Sequence, residues 1–320
     1  ADALIAAADP VDILINNAGI TRDMLALRLM SWIALRCGRR IARGVLYPIA
    51  LYFILLAPAK RRISRDYLKR VLGRDANWVD GFRHVFCFAS TVLDRVYLLR
   101  GQIDWLDLKA EGTALVDAQV AGGQGAFLMG AHIGSFEALR TTAQVARDPS
   151  LPPLDITMLM FPDNARKINA ALAAIAPDTQ PQIIALGRPE AMLAVRDKLA
   201  AGGLIGVLAD RTLPTEGQRG NVVWLPFLGS PAPFSDGPFR LAELLRQRIL
   251  FMVAVYAGGG RYEARFEPLA DFSQRLRDPA ARDARLREAM QAYVARLEAL
   301  CHEHPYNWFN FHDFWHEQAH

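Results

Sequence analysis

Cysteine is scarce in this 320-residue chain: Cys37, Cys87 and Cys301 are its only three. They are far apart, odd in number and form no CxxC pair. That excludes a disulfide framework and fits a reducing compartment. There is no GxSxG; Pro-Phe-Ser235-Asp-Gly is the nearest approach and lacks the first glycine. A serine hydrolase with a nucleophile elbow is disfavoured accordingly. No HExxH is present either. His302, Glu303 and His304, or the pair His312 and His316, are the remaining metal candidates, and no metal or cofactor is expected. No signal peptide with a cleavage site, internal repeat or low-complexity tract is seen. The main uncharged apolar run, residues 44–59, has 16 residues and contains Pro48. A full membrane span needs about 20.

The composition itself, 52% hydrophobic and 22% charged with a mean hydropathy of +0.09, provides a sizeable buried core. The net charge of +4 is unevenly spread. Residues 31–72 hold ten Lys or Arg against the single acid Asp66, a local +9, so the remainder carries about −5. Arg36, Arg39, Arg40 and Arg43 precede the apolar run, and Lys60, Arg61, Arg62 and Arg65 follow it. Basic flanks around an apolar centre fit a segment lying in a membrane interface, its arginines on phosphates. A buried core helix is the plainer alternative. A solid apolar centre does not suit nucleic acid, so no nucleic-acid partner is expected.

Strand and helix patterns alternate after Trp105. Apolar runs at 124–131, 155–160, 182–186, 204–209, 249–256 and 262–267 read as strands. Helical patterns occupy 135–146, 164–175, 189–201, 239–247 and 278–302, with Ser135 as a cap for the first of these. Upstream, residues 27–71 read as helix with breaks near Pro48 and Pro58, and 78–99 as a further helix. His84 and Asp94 within it read as packing or polar-face residues. The expected fold is α/β, a mixed and mainly parallel central sheet flanked by helices, with membrane-associated helices at the N-terminus. The expected division is 1–30, 31–104 and 105–320.

The first division stands apart. Residues 11–30, VDILINNAGITRDMLALRLM, resemble the fourth strand and loop of a short-chain dehydrogenase, in particular a 3-oxoacyl-(acyl-carrier-protein) reductase. An intact reductase also needs a TGxxxGxG turn and a YxxxK pair, and the chain has neither. Asn16, Asn17 and Gly19 are therefore expected to be non-functional, and this segment to be a loosely ordered remnant.

The strongest chemical constellation is Gly130-Ala131-His132-Ile133-Gly134-Ser135-Phe136-Glu137. A histidine follows a buried strand, where side chains open toward the crevice in which α/β proteins bind ligands. A carboxylate lies five residues on and can orient the imidazole if one residue is in the loop and the other in the first helical turns. A structural histidine gives the same spacing.

This block resembles the HxxxxE/D motif of the lysophospholipid and glycerolipid acyltransferase superfamily, and more narrowly the lipid A biosynthesis (lauroyl/myristoyl) acyltransferases. Further blocks match in order. Leu208-Ala209-Asp210-Arg211 resembles the family's D-Q/R segment, and Val223 to Gly229 its VPFFG-like block. His304-Pro305-Tyr306-Asn307-Trp308-Phe309-Asn310-Phe311-His312 resembles its HPxQWxWxH ending. The resemblance implies acyl transfer from an acyl-carrier-protein or CoA thioester to a hydroxyl of a lipid or glycolipid. His132 would be the general base and Glu137 its support. It places Arg211, Asp210, Phe227, Gly229 and Ser135 at the substrate, with Arg211 and backbone amides around Gly229 as oxyanion donors. Arg39, Arg40, Arg43, Lys60, Arg61 and Arg62 would contact the carrier or an anionic membrane surface, on the cytoplasmic face of the inner membrane. A mobile loop is expected over residues 211–220. Ser135-Phe136 stands where the family often has Asn-Trp, and Arg211 where it commonly has glutamine. Another glycolipid, a lysophospholipid, an amino-acid lipid or a polyene pigment is then an alternative acceptor. A non-catalytic membrane module is the alternative of a different class.

Overall fold

The computed structural model describes residues 20–123, 125–148, 154, 156–160, 162, 182–186, 189–212 and 222–315. Four helices come first: α1 (Ile20–Cys37), α2 (Arg39–Leu56), α3 (Pro58–Leu72) and α4 (Trp78–Leu98). Then follow β1 (Asp107–Glu111), α5 (Thr113–Ala121), β2 (Ala126–Gly130), α6 (Phe136–Val145), β3 (Ile156–Met160), β4 (Ile183–Ala185), α7 (Pro189–Ala200) and β5 (Leu204–Leu208). The chain continues with β6 (Val222–Phe227), β7 (Ser230–Ser235), α8 (Gly237–Leu244), β8 (Arg248–Gly258), β9 (Arg261–Asp271) and α9 (Pro279–Glu303).

Seven strands form one sheet in the order β1-β9-β8-β2-β5-β3-β4. Every neighbouring pair is parallel except β8 with β9, so the expected mixed, mainly parallel sheet is present. Its central strands carry apolar residues on both faces because helices cover both sides. Side chains alternate between two cores. Phe127 and Met129 of β2, with Phe251 and Val253 of β8, face the side covered by α3, α9 and the β6–β7 hairpin. Leu128 of β2, with Leu250 and Met252 of β8, faces the side covered by α4, α5 and α6.

The N-terminal helices are built amphipathically. Ala42, Leu46, Ala50 and Ile54 recur every four residues and form the buried stripe of α2, which packs on α4. The opposite face exposes Ile41, Tyr47, Tyr52, Leu55 and Leu56, the last 67% accessible. The end of α4 nearest the turn from α3 is fixed by a capping box between Asn77 and Asp80. Among the described residues no single helix is long and apolar enough to cross a membrane; α2 and α3 together reach that composition but are bent by 96°.

Several expectations change. Pro48 lies inside α2 without breaking it. It and Gly44, whose carbonyl loses its helical partner, are both exposed. The break expected near Pro58 is present, at Ala57, and the other falls at Gly38, with φ 81°, rather than at Pro48. Residues 20–30 of the reductase-like segment form the first part of helix α1. The rest of that segment, Asn16, Asn17 and Gly19 included, lies outside the described residues, as do the helix expected over 164–175, the loop 213–220 and His316. The VPFFG-like block, read only as a motif, is the first strand of an antiparallel hairpin.

Candidate active site

β2 and β5 are parallel neighbours, with Gly130 opposite Leu208. Two residues beyond each strand end, the same register sets His132 opposite Asp210. The imidazole Nδ1 donates to Asp210 Oδ1 at 2.8 Å. Asp210 Oδ2 accepts from the backbone N–H of His132 at 2.9 Å and from the indole N–H of Trp308 at 2.8 Å. Asp210 is fully buried. Burial alone would raise its carboxyl pKa, but the facing imidazole, its hydrogen bond and nearby Arg211 hold the group well below the usual carboxylate range. An ionised acceptor at Nδ1 fixes the tautomer with its lone pair on Nε2. Nε2 takes no hydrogen bond among the described residues, and the His132 side chain is 25% accessible.

The backbone around the histidine is also tied down. Ile133 forms an antiparallel bridge with Trp308 and Gly134 a parallel bridge with Ala254. The Phe309 N–H donates to the His132 carbonyl at 2.8 Å, and the Gly134 N–H to Asn307. Gly134 has φ 63°, and a Cβ there would sit 1.8 Å from the Ala254 carbonyl oxygen. Only glycine lets the chain turn here from strand into helix. Ser135 then caps α6 as expected, its Oγ accepting from Ala138 N–H at 3.2 Å.

The carboxylate at the imidazole is thus Asp210 rather than Glu137. Glu137 sits in the first turn of α6 with Oε1 3.0 Å from Arg95 Nε of α4. Its Oε2 is buried and has no hydrogen-bond partner among the described residues. Arg211 adjoins the site, its Nη2 lying 3.4 Å from the Phe309 carbonyl. Phe227, expected at the substrate, is fully buried in an aromatic cluster with Trp308, Phe234, Phe314 and Trp315. Gly229 and Leu228, both at positive φ, form the two-residue turn between β6 and β7. The Leu228 N–H already donates to Glu298 at 3.1 Å, so that amide is not open to an oxyanion.

The basic residues divide as well. Arg39 makes a bidentate pair with buried Asp94 at 2.8 and 2.9 Å and stacks on Trp105. Arg43 donates to Tyr256, Lys60 to the Phe311 carbonyl and Arg61 to the Ile54 carbonyl. Arg40 is exposed, and the Arg62 side chain is 78% accessible, 3.6 Å from Asp313.

Other nucleophiles are poorly placed. Burial pushes the Cys87 thiol up to about 12, and Cys301 is likewise buried with its thiol raised. Ser235 Oγ accepts from the Gly237 N–H at the start of α8. Among the described residues no group of three or more His, Cys, Asp or Glu is placed to hold a metal.

Sequence reasoning treated Asp210 as a substrate contact and Trp308 as part of a motif, missing their joint hold on His132. A signal existed: Ala131-His132 and Ala209-Asp210 stand at the same place after two buried strands. A search of curated proteins found no match. The sequence model of the bacterial lipid A biosynthesis acyltransferase family matches residues 103–317, which span β1 to the aromatic tail and include every residue of the histidine site. The chain belongs to the bacterial lipid A biosynthesis acyltransferase family.

Proposed function

We propose that this acyltransferase moves a fatty acyl group from an acyl-carrier-protein or CoA thioester to a hydroxyl of a lipid or glycolipid, with His132 Nε2 as the general base. The observation that carries the reading is the fixed imidazole: Asp210 engages Nδ1, and Nε2 remains accessible. Nε2 takes the acceptor hydroxyl's proton as its oxygen attacks the thioester carbonyl. The tetrahedral intermediate expels the carrier thiolate, which recovers that proton from the imidazolium. The ionised Asp210 stabilises the transient imidazolium. Arg211, next in the chain, supplies positive charge for the oxyanion or for an anionic group on the acceptor. No acyl-enzyme is required.

The reaction takes place at the cytoplasmic face of the inner membrane in this reading. The exposed apolar face of α2 supports it, since contiguous aromatic and aliphatic side chains beside arginines suit a helix lying in the headgroup region. Arg40 and Arg62 are the expected lipid contacts, because Arg39, Arg43, Lys60 and Arg61 are engaged within the protein. Binding to anionic vesicles should fall on Leu55→Asp/Leu56→Asp substitution and weaken with salt; a protein that stays in the supernatant at low salt ends the membrane reading. The activity is tested by transfer of labelled acyl from carrier protein, and separately from CoA, into a membrane lipid extract. Equal transfer by wild type and His132→Ala removes the general-base assignment. Isolation of the labelled lipid identifies the acceptor.

A further inference from the structure

Asn310 is 1% accessible, and neither its carboxamide nitrogen nor its oxygen has a hydrogen-bond partner among the described residues. It lies one residue beyond Phe309, whose N–H bonds the His132 carbonyl. The peptide carbonyls on either side of it are each held by a cation. Arg211 Nη2 is 3.4 Å from the Phe309 oxygen, and Lys60 Nζ is 3.1 Å from that of Phe311. The rings of Phe309 and Phe311 are anchored against Phe88 of α4, at 5.3 and 5.5 Å between centroids. The backbone is therefore held on both sides of Asn310, whose carboxamide stays buried. Burying an unmatched donor and acceptor together is costly, and a hydroxyl that gives and takes one hydrogen bond would satisfy both.

We propose that Asn310 binds the acyl acceptor, its carboxamide receiving a hydroxyl of the headgroup beside the hydroxyl that His132 deprotonates. A carboxamide gives one hydrogen bond and takes another, which matches a hydroxyl. A thioester carbonyl only accepts and would leave Oδ1 unmet. This inference rests on the acyl-transfer reading and adds to it the residue that selects a polar headgroup.

The test uses the full chain with labelled lauroyl carrier protein as donor and a membrane lipid extract as acceptor, comparing wild type, Asn310→Leu and Asn310→Ala. Leucine fills nearly the same volume without polar atoms, so Asn310→Leu should melt no lower than wild type. Its transfer should fall at least about tenfold, through a raised apparent KM for the extract, with the KM for the donor and slow donor hydrolysis unchanged. Asn310→Ala covers the case in which the branched side chain does not fit. Transfer within about twofold of wild type in both variants overturns the proposal. So does a lower melting temperature with donor hydrolysis and transfer reduced together, which marks a structural role. A rise confined to the donor KM assigns the carboxamide to the amides of the carrier arm instead. A wild type that transfers no label from the carrier protein, nor from lauroyl-CoA run beside it, overturns the acyl-transfer reading itself, a separate outcome from all of these.

Discussion

His84 and His132 lie on either side of Trp308 and are used in opposite ways. His84 is fully buried, and both ring nitrogens are occupied: Nδ1 accepts from the Ser64 hydroxyl and Nε2 donates to the Trp308 carbonyl, each at 2.8 Å. Burial pushes its pKa down to about 4, so it is neutral at physiological pH. His132 spends only Nδ1, on an ionised Asp210 that the Trp308 indole also holds. One tryptophan thus braces a structural imidazole through its carbonyl and a chemically available one through its ring. What separates them is the second nitrogen and the charge behind the first. A neutral hydroxyl partner in a sealed site makes packing; a carboxylate partner at a strand end leaves an imidazole placed for the base role proposed for His132.

The largest effect should come from removing the available nitrogen. His132→Ala is expected to lower acyl transfer by about 100- to 10,000-fold with little change in melting temperature, measured with labelled donor under saturating lipid. Residual transfer near the wild-type rate would dissolve the distinction between the two histidines. Asp210→Asn comes next. It keeps the shape but removes the charge and one of the two acceptor oxygens, setting an NH2 group against an N–H that Asp210 now receives, and an orienting partner of this kind is worth at least about 10- to 100-fold in activity. The loss should appear in kcat more than in KM, because the carboxylate acts through His132 and not on substrate.

His84 yields a stability prediction with a defined sign. Its folded pKa of about 4 lies below the ordinary 6.5, so the unfolded chain takes up its proton first as pH falls. The stability that His84 contributes is complete above pH 6.5 and is lost progressively between 6.5 and 4. Over that window the gap in unfolding free energy between wild type and His84→Gln should shrink by roughly 3 kcal/mol, as read from denaturant melts at several pH values. A gap independent of pH would mean that His84 is not held neutral by burial. Acyl transfer at neutral pH should survive this substitution in whatever fraction remains folded.

Much of the scaffold was legible because its signals are local. The apolar runs of β2, β5 and β8 and the cap at Ser135 need only neighbouring residues to be read. The β6–β7 hairpin was hidden by Pro226, Pro231 and Pro233, which normally argue against a strand. Counting from the turn at Leu228 and Gly229, the antiparallel alternation puts all three in non-hydrogen-bonded places, where a missing N–H costs nothing. The partner of His132 was hidden for a different reason. Asp210 is 78 residues away in sequence, and only the pairing of β2 with β5 sets the two side by side. Glu137, five residues on, offered the nearer carboxylate and was read as the orienter, yet α4 claims it through Arg95.

That leaves the comparison between the two carboxylates as the finest test of the site. Glu137→Gln removes the charge facing Arg95 but leaves the Asp210–His132 bond intact. Arg95 is 30% accessible in its side chain, so water compensates part of the lost attraction, and the expected cost is about 1 kcal/mol of stability. Transfer should fall by less than about tenfold, clearly less than in Asp210→Asn assayed beside it. The order matters more than either magnitude. A larger loss in Glu137→Gln would mean that substrate binding draws Glu137 away from Arg95 and toward the reacting atoms. Its unpartnered Oε2 would then be the group that completes the site, and Asp210 would be reduced to holding the loop.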